Sequence, residues 1–127
     1  MKKIILFLGL LILLGSGWYF FYQYKPNKKS VVQEKITVYL KVTGQKVFNK
    51  QEIAKGKTAL DLTKEKEDIV TKGDGANAYI IGINGIEAKS ADKEYWAFYV
   101  NAKMATVGAG SYKLKPGDKI EWKIEKY

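Results

Sequence analysis

The most regular pattern in this chain is the alternation of apolar and polar residues in two segments. In "KITVYLKVT", residues 35 to 43, the alternating apolar positions are Ile36, Val38, Leu40 and Val42. In "KIEWKIEKY", residues 119 to 127, they are Ile120, Trp122 and Ile124. Because successive side chains of a strand point to opposite faces, both segments are predicted to be half-buried strands.

One segment between these strands has helical character. In "KTALDLTKEKEDIV", residues 57 to 70, Thr58 stands three residues before Asp61, which resembles a capping box with Asp in the usual Glu position. A short apolar stripe follows from Ala59, Leu60 and Leu62. The pattern predicts one helix of about two to three turns. Before it, "KVFNKQEIAKG" (46 to 56) is predicted to be a weaker strand or an extended loop.

The second half of the chain predicts further strands joined by turns. The segments "AYIIGI" (78 to 83) and "KEYWAFYV" (93 to 100) contain the aromatic and β-branched residues that favour strands. The first leads into Asn84-Gly85, a pair favoured in type I′ hairpin turns. The second leads into Asn101-Ala102. Because alanine disfavours the positive φ of a type I′ turn, we expect a different turn or a bulge there.

The order of these elements indicates the fold class. Two strands, one helix and then several strands form an α+β order, in which a mixed sheet buries the helix on one face. We therefore predict a small β-grasp-like domain, a mixed sheet with one helix. The stretches "VGAGSY" (107 to 112) and "KPGD" (115 to 118) are predicted to be a loop and a tight turn, with Asp118 capping local amides. The loop is not a phosphate loop, because no Gly-Lys-Ser/Thr sequence follows it.

The N-terminal residues have the composition of a membrane segment. Two lysines precede an uncharged run from Ile4 to Tyr22, which as a helix is long enough to span about 30 Å of hydrocarbon. Gly15 and Gly17 provide the small residues that a signal peptidase prefers, so cleavage is the alternative. The aromatic cluster at residues 18–22 fits the belt at a membrane interface and favours a retained anchor.

These features divide the chain into three parts. Residues 1–24 are predicted to be a membrane anchor or an uncleaved signal, residues 25–34 a polar stalk, and residues 35–127 the folded domain. A short N-terminal flank makes an N-in, C-out topology the default. The predicted location is the cell membrane, with residues 4–22 as a single-pass attachment and the C-terminal domain outside the cytoplasm.

The charge of the chain is basic without being that of a nucleic-acid reader. The formal net charge is +9, and all 22 basic residues are lysines. The chain therefore lacks the planar arginine fork that recognises guanine and phosphate in a bidentate manner. Its acidic residues mostly alternate with lysines, as in "KEKED" (64 to 68), which is typical of a solvated surface. We predict no nucleic-acid partner.

The residue types that are missing restrict the chemistry. The chain has no Cys, which excludes a disulfide framework, a thiolate nucleophile and a thiolate metal site. It has no His, so the usual general base and a common zinc ligand are also absent. We predict that the protein is not an enzyme, with no catalytic residues and no metal ligands. The missing disulfides suit a Gram-positive cell surface.

The aromatic strand that begins at residue 93 presents two different faces. Trp96 and Phe98 share one face and are predicted, together with Trp122, to be core residues. Tyr95 and Tyr99 lie on the opposite face. They either pack against neighbouring lysine side chains or form an exposed aromatic platform for a flat apolar ligand or a polymer.

A set of ordered motifs runs through residues 58 to 127. They are "TALDLT", then "YIIGINGIEAK", then "KEYWAFYVNAKMATVGAGSYKLKPGDKIEWKIE". The most specific part is Tyr-Trp-x-Phe-Tyr-Val-Asn at 95 to 101, followed by Leu114-x-x-Gly117-Asp118-x-Ile120-x-Trp122. Together they resemble the transcobalamin C-terminal-like domain family, a family of uncharacterised extracytoplasmic bacterial domains within the soluble-ligand-binding β-grasp group.

The resemblance implies a β-grasp fold outside the cytoplasm and a soluble ligand, cobalamin or a similar molecule, with no covalently bound cofactor. In the animal cobalamin carriers, a domain of this kind covers one side of the corrinoid while a large helical domain holds the other. Carried over to the matching positions, the resemblance implies ligand contacts from the aromatic strand and the loop after it. These candidate residues are Tyr95, Tyr99, Asn101, Gly108, Gly110 and Tyr112.

Two functions of different classes remain open. The first is a membrane-tethered extracytoplasmic module that binds a small-molecule ligand such as cobalamin. The second is a cell-envelope interaction or structural domain whose sheet edge or tyrosine face docks a protein or a wall polymer. A concave pocket ringed by Tyr95, Tyr99 and Tyr112 would favour the first function, and a flat sheet with an unpaired edge would favour the second.

Overall fold

The computed structural model of the protein describes Tyr22 and residues 32–127. Contacts divide the chain into two units, Met1–Val32 and Gln33–Tyr127, and the fold described below is that of the second unit. Apart from Tyr22, the predicted membrane segment at residues 4–22 lies outside the described residues, as does most of the predicted stalk. No helix among the described residues has both the length and the apolar character needed to cross a membrane.

The described part of the second unit contains eight strands and one α-helix, with short 3-10 turns at Gly75–Asn77 and Ser90–Asp92. The first three elements are β1 (Lys35–Val42), β2 (Asn49–Ala54) and helix α1 (Ala59–Lys66). The strands after the helix are β3 (Ile69–Lys72), β4 (Tyr79–Ile83), β5 (Ile86–Glu87), β6 (Glu94–Val100), β7 (Lys103–Met104) and β8 (Lys119–Lys126).

The strands form two sheets. The larger sheet has the order β2-β1-β8-β6-β7. In it β1 and β8 run parallel, whereas the other neighbouring pairs are antiparallel. The smaller sheet is antiparallel and has the order β3-β4-β5. The predicted small α+β architecture, with a mixed sheet and one helix, is therefore confirmed for the described residues.

The hydrophobic core joins both sheets and the helix. Val38 and Leu40 of β1, Ile120 of β8 and Leu62 of α1 have no accessible surface, and Ile80 of the smaller sheet belongs to the same cluster. The first four of these positions are ones that the alternation in the two outer segments and the helical stripe predicted to be buried. Burying a side chain of this size contributes about 1.5–3 kcal/mol, so the alternation determines which face of the larger sheet receives the helix.

Helix α1 begins at a capping box and ends earlier than its sequence segment. The Thr58 Oγ1 accepts a hydrogen bond from the Asp61 N–H (3.1 Å), and the Asp61 Oδ2 accepts one from the Thr58 N–H (2.9 Å). The predicted start is confirmed. The helix stops at Lys66 because Ile69–Lys72 pairs with β4 as strand β3, which no local pattern predicted. The first two residues of β3 are β-branched and favour extended backbone.

Two turns of the domain have the same backbone signature. Asn84 and Gly85 have φ values of 51° and 79°, and Asn101 and Ala102 have values of 52° and 67°. Positive φ at both central residues is the signature of a type I′ turn. The turn predicted at Asn84-Gly85 is confirmed. The expectation of a different turn or a bulge at Asn101-Ala102 is wrong, because the alanine adopts the unfavourable φ.

Contacts with the start of β8 hold this second turn. The Asn101 N–H donates to the Lys119 carbonyl (2.9 Å), and the Asn101 Oδ1 accepts from the Lys119 N–H (2.9 Å). Each hydrogen bond contributes about 0.5–1.5 kcal/mol, which together offsets the local cost of a left-handed alanine. The tertiary contacts of Asn101 thus override the local preference of Ala102.

Replacing Ala102 with glycine is expected to stabilise the domain by about 0.5–1 kcal/mol. A left-handed φ costs a non-glycine residue about 1–2 kcal/mol, and the greater freedom of glycine in the unfolded chain cancels part of the gain. Urea unfolding measures the difference. The matched control is Gly85→Ala, where a Cβ meets no atom within 4 Å, so only the φ of 79° opposes it. That variant is expected to lose a similar amount, and an Ala102→Gly variant no more stable than the parent would contradict the argument.

Candidate ligand-binding cleft

Strand β6 carries the aromatic residues of the predicted site, and only one of its edges is fully paired. It pairs with β8 over its whole length, from Glu94 to Val100. On the other edge, β7 pairs only with Tyr99 and Val100. Among the described residues, the part of β6 around Trp96 therefore has no neighbouring strand of its own sheet on that side.

A small apolar cavity lies where the smaller sheet approaches this open edge. Strand β4 contacts β6 there, and the cavity between them has a volume of about 130 Å³. Its walls come from β4, β6, β8, the helix and the loop before β8, and none of its residues is charged. They are Leu60, Ala78, Tyr79, Ile80, Trp96, Phe98, Gly108, Ala109 and Trp122. We call this the inner cavity.

A second cavity, of about 480 Å³, adjoins the first and shares three wall residues with it. Tyr79, Ile80 and Trp96 line both cavities. The remaining walls of this outer cavity are more polar: Lys72, Ile81, Glu87, Ala88, Ser90, Glu94 and Tyr95. The inner cavity, the outer cavity and the residues between them are called the Trp96 cleft below.

The indole N–H of Trp96 is the polar group that distinguishes this cleft. Trp96 is only 7% exposed, and its Nε1 is buried with no hydrogen-bond partner among the described residues. Buried donors are nearly always paired, since leaving one unpaired costs about 1–3 kcal/mol in lost hydration. An unpaired donor on a residue that lines two cavities indicates a place where a bound molecule can supply the acceptor.

The second core tryptophan, Trp122, has the opposite arrangement. Its Nε1–H donates to the Thr63 Oγ1 (2.9 Å), and the Thr63 hydroxyl donates in turn to the Ala59 carbonyl (2.8 Å). Thr63 is fully buried, so this chain of hydrogen bonds fastens β8 to α1 inside the core. The same residue type is a structural link at position 122 and a donor without a partner at position 96.

Tyr95 and Tyr99 project from the face of β6 opposite to that of Trp96 and Phe98. Both hydroxyls donate to Glu125 on β8, at 3.3 Å for Tyr95. The Lys123 Nζ lies 4.7 Å from the centre of the Tyr99 ring, within cation–π range. Both hydroxyls and one ring therefore already have partners within the sheet.

The carboxylate of Glu125 also changes the titration of the two tyrosines. Its hydrogen bond, followed by burial, raises the pKa of Tyr99 to about 12. For Tyr95, burial is the first cause and the charge of Glu125 the second, and both raise the pKa above its ordinary value. A tyrosine already keeps its proton at neutral pH, and the raised pKa extends the range in which both hydroxyls are donors to more alkaline pH.

Asn101 and Tyr112 meet at a buried carboxylate, that of Asp118. Asp118 accepts hydrogen bonds from the Asn101 Nδ2 (3.1 Å), the Tyr112 hydroxyl (2.9 Å) and the Lys115 N–H (2.9 Å). The last of these is the capping of a local amide that the sequence predicts. Burial and then the bond to Asp118 raise the pKa of Tyr112 to about 12. The polar groups of Asn101 and Tyr112 are thus used to hold a turn and a loop to the start of β8.

The glycine-rich loop at residues 107–112 closes over the start of α1. The Leu60 N–H donates to the Ala109 carbonyl (3.1 Å), and the Ala59 N–H donates to the Tyr112 carbonyl (2.9 Å). The first N–H groups of a helix have no partners within the helix itself. The loop supplies carbonyl acceptors to two of these N–H groups. These hydrogen bonds give the loop a structural role and fix it beside the inner cavity.

The two glycines of this loop have different surroundings. At Gly110, a Cβ would lie 2.8 Å from the Ala76 carbonyl oxygen, so only glycine allows the loop to approach the 3-10 turn this closely. At Gly108, a Cβ would meet no atom within 4 Å. Gly108 is exposed and lines the inner cavity, so a side chain at this position meets no steric obstacle beside the cavity.

The candidate residues from the sequence are therefore distributed over the domain. Tyr95 lines the outer cavity and Gly108 the inner cavity. Tyr112 packs its ring against Phe98 on the core side, with ring centres 6.2 Å apart. Because Tyr95 and Tyr99 lie on the other face of the sheet, the three tyrosines do not ring a common pocket. Their roles as ligand contacts stay predictions.

Two central residues of the cleft were not predicted as ligand contacts from the sequence: Trp96, which was predicted to be a core residue only, and Tyr79. Tyr79 begins β4, is 59% exposed and lines both cavities. The available signal was an aromatic residue at the start of a predicted strand, which is common in strands of any function. Its neighbours in the cleft come from β6 and the glycine-rich loop, which are distant in the sequence.

A third cavity, of about 630 Å³, lies beside the first turn of α1 and has mixed charge. Its charged wall residues are Asp61, Lys64, Glu67, Asp68 and Asp74. The Asp61 carboxylate is already used in the capping box. In the part of the chain that the structure describes, no group of three or more acidic side chains is arranged to hold a metal ion.

The fold and the cleft define the class of protein: a small α+β domain in which the edges of two sheets border an aromatic cleft with a free donor. Within this class the family is clear. The chain belongs to the family described as "Domain of unknown function (DUF4430)", which matches residues 56–126. The resemblance to transcobalamin C-terminal-like domains is confirmed by this match and by the structural similarities that follow.

Two solved structures have a similar fold. Haptocorrin in complex with Cbi has a TM-score of 0.66 and 23% identity, over 76% of this chain and 26% of that chain. A "putative metal binding protein" from Ruminococcus gnavus ATCC 29149 has a TM-score of 0.54 and 15% identity, over 75% of this chain and 99% of that chain. At these identities the similarity shows the fold, and this chain spans about a quarter of haptocorrin. No curated protein matches the chain.

Replacing Trp96 with phenylalanine is expected to cost less stability than the same change at Trp122. At Trp122 the change removes the hydrogen bond to Thr63, with a net value of about 0.5–1.5 kcal/mol. At Trp96 it removes an unpaired buried N–H, which offsets part of the cost of the lost ring volume. Urea unfolding of the two variants should therefore differ by about 1–2 kcal/mol. Equal costs would mean that the Trp96 N–H is paired in solution.

Proposed function

We propose that this protein is a membrane-tethered extracytoplasmic module that binds a soluble ligand, cobalamin or a similar molecule, in the Trp96 cleft. The observation that carries the proposal is the buried Trp96 Nε1, a donor without a partner among the described residues, on a side chain that lines both cavities. Small-molecule sites are typically concave and apolar, with a few polar groups that fix orientation. The aromatic walls and polar rim of the cleft fit that description.

The shared fold supports a ligand of this kind. Haptocorrin, solved in complex with Cbi, contains a region similar to most of this chain. That region is 26% of haptocorrin, so we assign to this chain only the part of a ligand site that one such β-grasp domain supplies. The proposal contains no catalytic step, and both similar structures are described by what they bind and not by a reaction.

The sizes of the two cavities restrict how a corrinoid is held. Sites that enclose a drug-sized ligand have volumes of about 300–1,000 Å³. The inner cavity, at about 130 Å³, is too small for a macrocycle and has room only for one of its peripheral groups. The macrocycle itself would lie against the outer cavity, of about 480 Å³. Held on one side only, it would bind less tightly than in a closed site.

The proposed tether is the uncharged run at residues 4–22, which precedes the stalk. A helix of this length spans the hydrocarbon layer, and the short N-terminal flank favours an N-in, C-out orientation. The ligand-binding domain would then face the outside of the cell membrane, where a soluble ligand first arrives.

The tyrosine face favours a second candidate function, the docking of an envelope protein or a wall polymer. Tyr127 is 76% exposed, and its ring centre lies 6.1 Å from that of Tyr95. Exposed aromatic rings beside the charged groups of Lys123 and Glu125 suit contacts with a polymer or a protein. Because the Tyr95 and Tyr99 hydroxyls are already bonded to Glu125, this face has fewer free polar groups than the cleft, and we rank it second.

Titration of the full chain, in a mild detergent, with cyanocobalamin tests the proposed function. Tryptophan fluorescence and calorimetry should show saturable binding. Gly108→Leu adds a bulky side chain at the wall of the inner cavity without a clash at its Cβ, so it should weaken binding at least about tenfold while leaving the unfolding temperature nearly unchanged. The absence of saturation up to about 1 mM, roughly −4 kcal/mol, would reject cobalamin as the ligand.

A Tyr99→Ala variant provides the comparison between the two faces. The site inferred from the family resemblance places Tyr99 against the ligand, whereas the Trp96 cleft does not include it. Binding that survives Tyr99→Ala and is lost in Gly108→Leu supports the cleft. The reverse result would move the ligand to the tyrosine face and contradict the proposal.

The proposed tether is tested by fractionation of cells that express the chain. The full chain should sediment with membranes and resist extraction by salt, since an apolar span is held by hydrocarbon and not by charge. A form that lacks residues 4–22 should be recovered in the soluble fraction. Protease added to intact spheroplasts should digest the folded domain, and protection from protease would contradict the outward orientation.

A further inference from the structure

Tyr79 stands between the two cavities of the Trp96 cleft. It shares this position with Ile80 and Trp96, since all three line both cavities. Ile80 and Trp96 are buried, whereas Tyr79 is 59% exposed. Of the three, only Tyr79 can turn its side chain into solvent without removing a ring or a branched chain from the core.

Few contacts hold the Tyr79 side chain in place. The hydroxyls of Tyr95, Tyr99 and Tyr112 each donate to a carboxylate. The Tyr79 hydroxyl makes no hydrogen bond to the residues that the structure describes, and only its backbone is fixed, opposite Lys72 of β3. Exposed side chains that lack such bonds change rotamer within picoseconds to nanoseconds.

The Trp96 donor is out of a ligand's reach in the present arrangement of the cleft walls. Trp96 Nε1 is buried, so an acceptor can approach it only after a residue of the cleft wall has moved. Of the three residues that line both cavities, Tyr79 moves at the lowest cost. Its rotation into solvent would join the inner and outer cavities into one cleft, with a volume in the range of about 300–1,000 Å³ that ligand sites occupy.

The walls of the inner cavity restrict the chemistry of the group that enters. Charged side chains line the outer cavity, at Lys72, Glu87 and Glu94, but none lines the inner cavity. Moving an unpaired ion into apolar surroundings is strongly unfavourable, whereas a neutral group that forms a hydrogen bond enters at much lower cost. Because an indole N–H is a donor only, the entering group has to be an acceptor.

We infer that Tyr79 is a gate of the Trp96 cleft, and that the ligand group admitted to the inner cavity is small, uncharged and bears a hydrogen-bond acceptor, such as the carbonyl of a carboxamide. The Trp96 Nε1–H donates to that acceptor and determines specificity for it. The inference rests on the proposed ligand-binding function and adds to it the chemistry of the bound group and the residue that controls access.

NMR of the indole N–H signals of the full chain, in a mild detergent, tests the chemistry. The signals of Trp18, Trp96 and Trp122 are assigned with single Trp→Phe variants. Propionamide, which is neutral and has a carbonyl acceptor, should shift the Trp96 signal downfield. Propionate has nearly the same shape and a charge, and should leave the signal in place. The Trp122 signal is the internal control, because its N–H is bonded to Thr63.

The gate is tested with Tyr79→Ala. If the open position is populated roughly one-tenth of the time, removing the ring should tighten propionamide binding about tenfold. Exchange of the Trp96 indole hydrogen with solvent should accelerate by a similar factor. Tyr39→Ala is the matched control, since Tyr39 projects from β1 on the face opposite the core, and it should change neither quantity. Unchanged binding and exchange in Tyr79→Ala would overturn the gate.

Three further outcomes overturn the chemistry of the inference. Equal shifts with propionate and propionamide would show that the cavity does not exclude charge. No Trp96 shift with propionamide, even in Tyr79→Ala, would show that the donor is not used. Cyanocobalamin binding that is unchanged by Trp96→Phe would also reject the inference, while leaving cobalamin binding by the chain itself intact. A propionamide response without cyanocobalamin binding would support the inference and reject only cobalamin.

Discussion

Strand β8 lies between β1 and β6, and the rest of the domain depends on this placement. Its parallel pairing with β1 joins distant parts of the chain, as in the bond from the Thr43 N–H to the Trp122 carbonyl (3.0 Å). The same pairing places Ile120 and Trp122 in the core, where Trp122 reaches Thr63 of the helix. Without β8, the β1–β2 hairpin and β6 would not share a sheet. The helix would lose part of the surface on which it packs, and the cleft would lose one of its walls.

The start of β8 also connects the core to the cleft through Asp118. This buried carboxylate fixes Asn101 of the neighbouring turn and Tyr112 of the glycine-rich loop. The loop in turn supplies acceptors to the first N–H groups of α1 and provides the Gly108 wall of the inner cavity. Two residues that the family resemblance presents as ligand contacts, Asn101 and Tyr112, therefore have polar groups that hold the turn and the loop in place. The polar network fixes the loop, and the loop shapes the cavity.

Local patterns predicted much of the fold, and non-local pairing accounts for the rest. The alternation around Leu40 and the capping box at Thr58 both correspond to what formed, because each depends on neighbouring residues only. Strand β3 was not predicted, because it exists through its pairing with β4. The left-handed Ala102 was not expected either, because its cost is offset by Asn101 contacts across the sheet. The cleft was unpredicted for the same reason: Tyr79 and Trp96 meet only after the two sheets come together.

The sequence by itself determined the chemistry that the domain lacks, the faces of its strands and the family to which it belongs. Missing Cys and His follow from composition, and the faces follow from a period of two. Tertiary structure alone decided which tryptophan keeps a free donor. Trp96 and Trp122 are both buried aromatic residues, on the neighbouring strands β6 and β8, and no local sequence pattern distinguishes one from the other. The helix places Thr63 within 2.9 Å of one indole, while the other lies at a sheet edge where no acceptor of the described chain arrives.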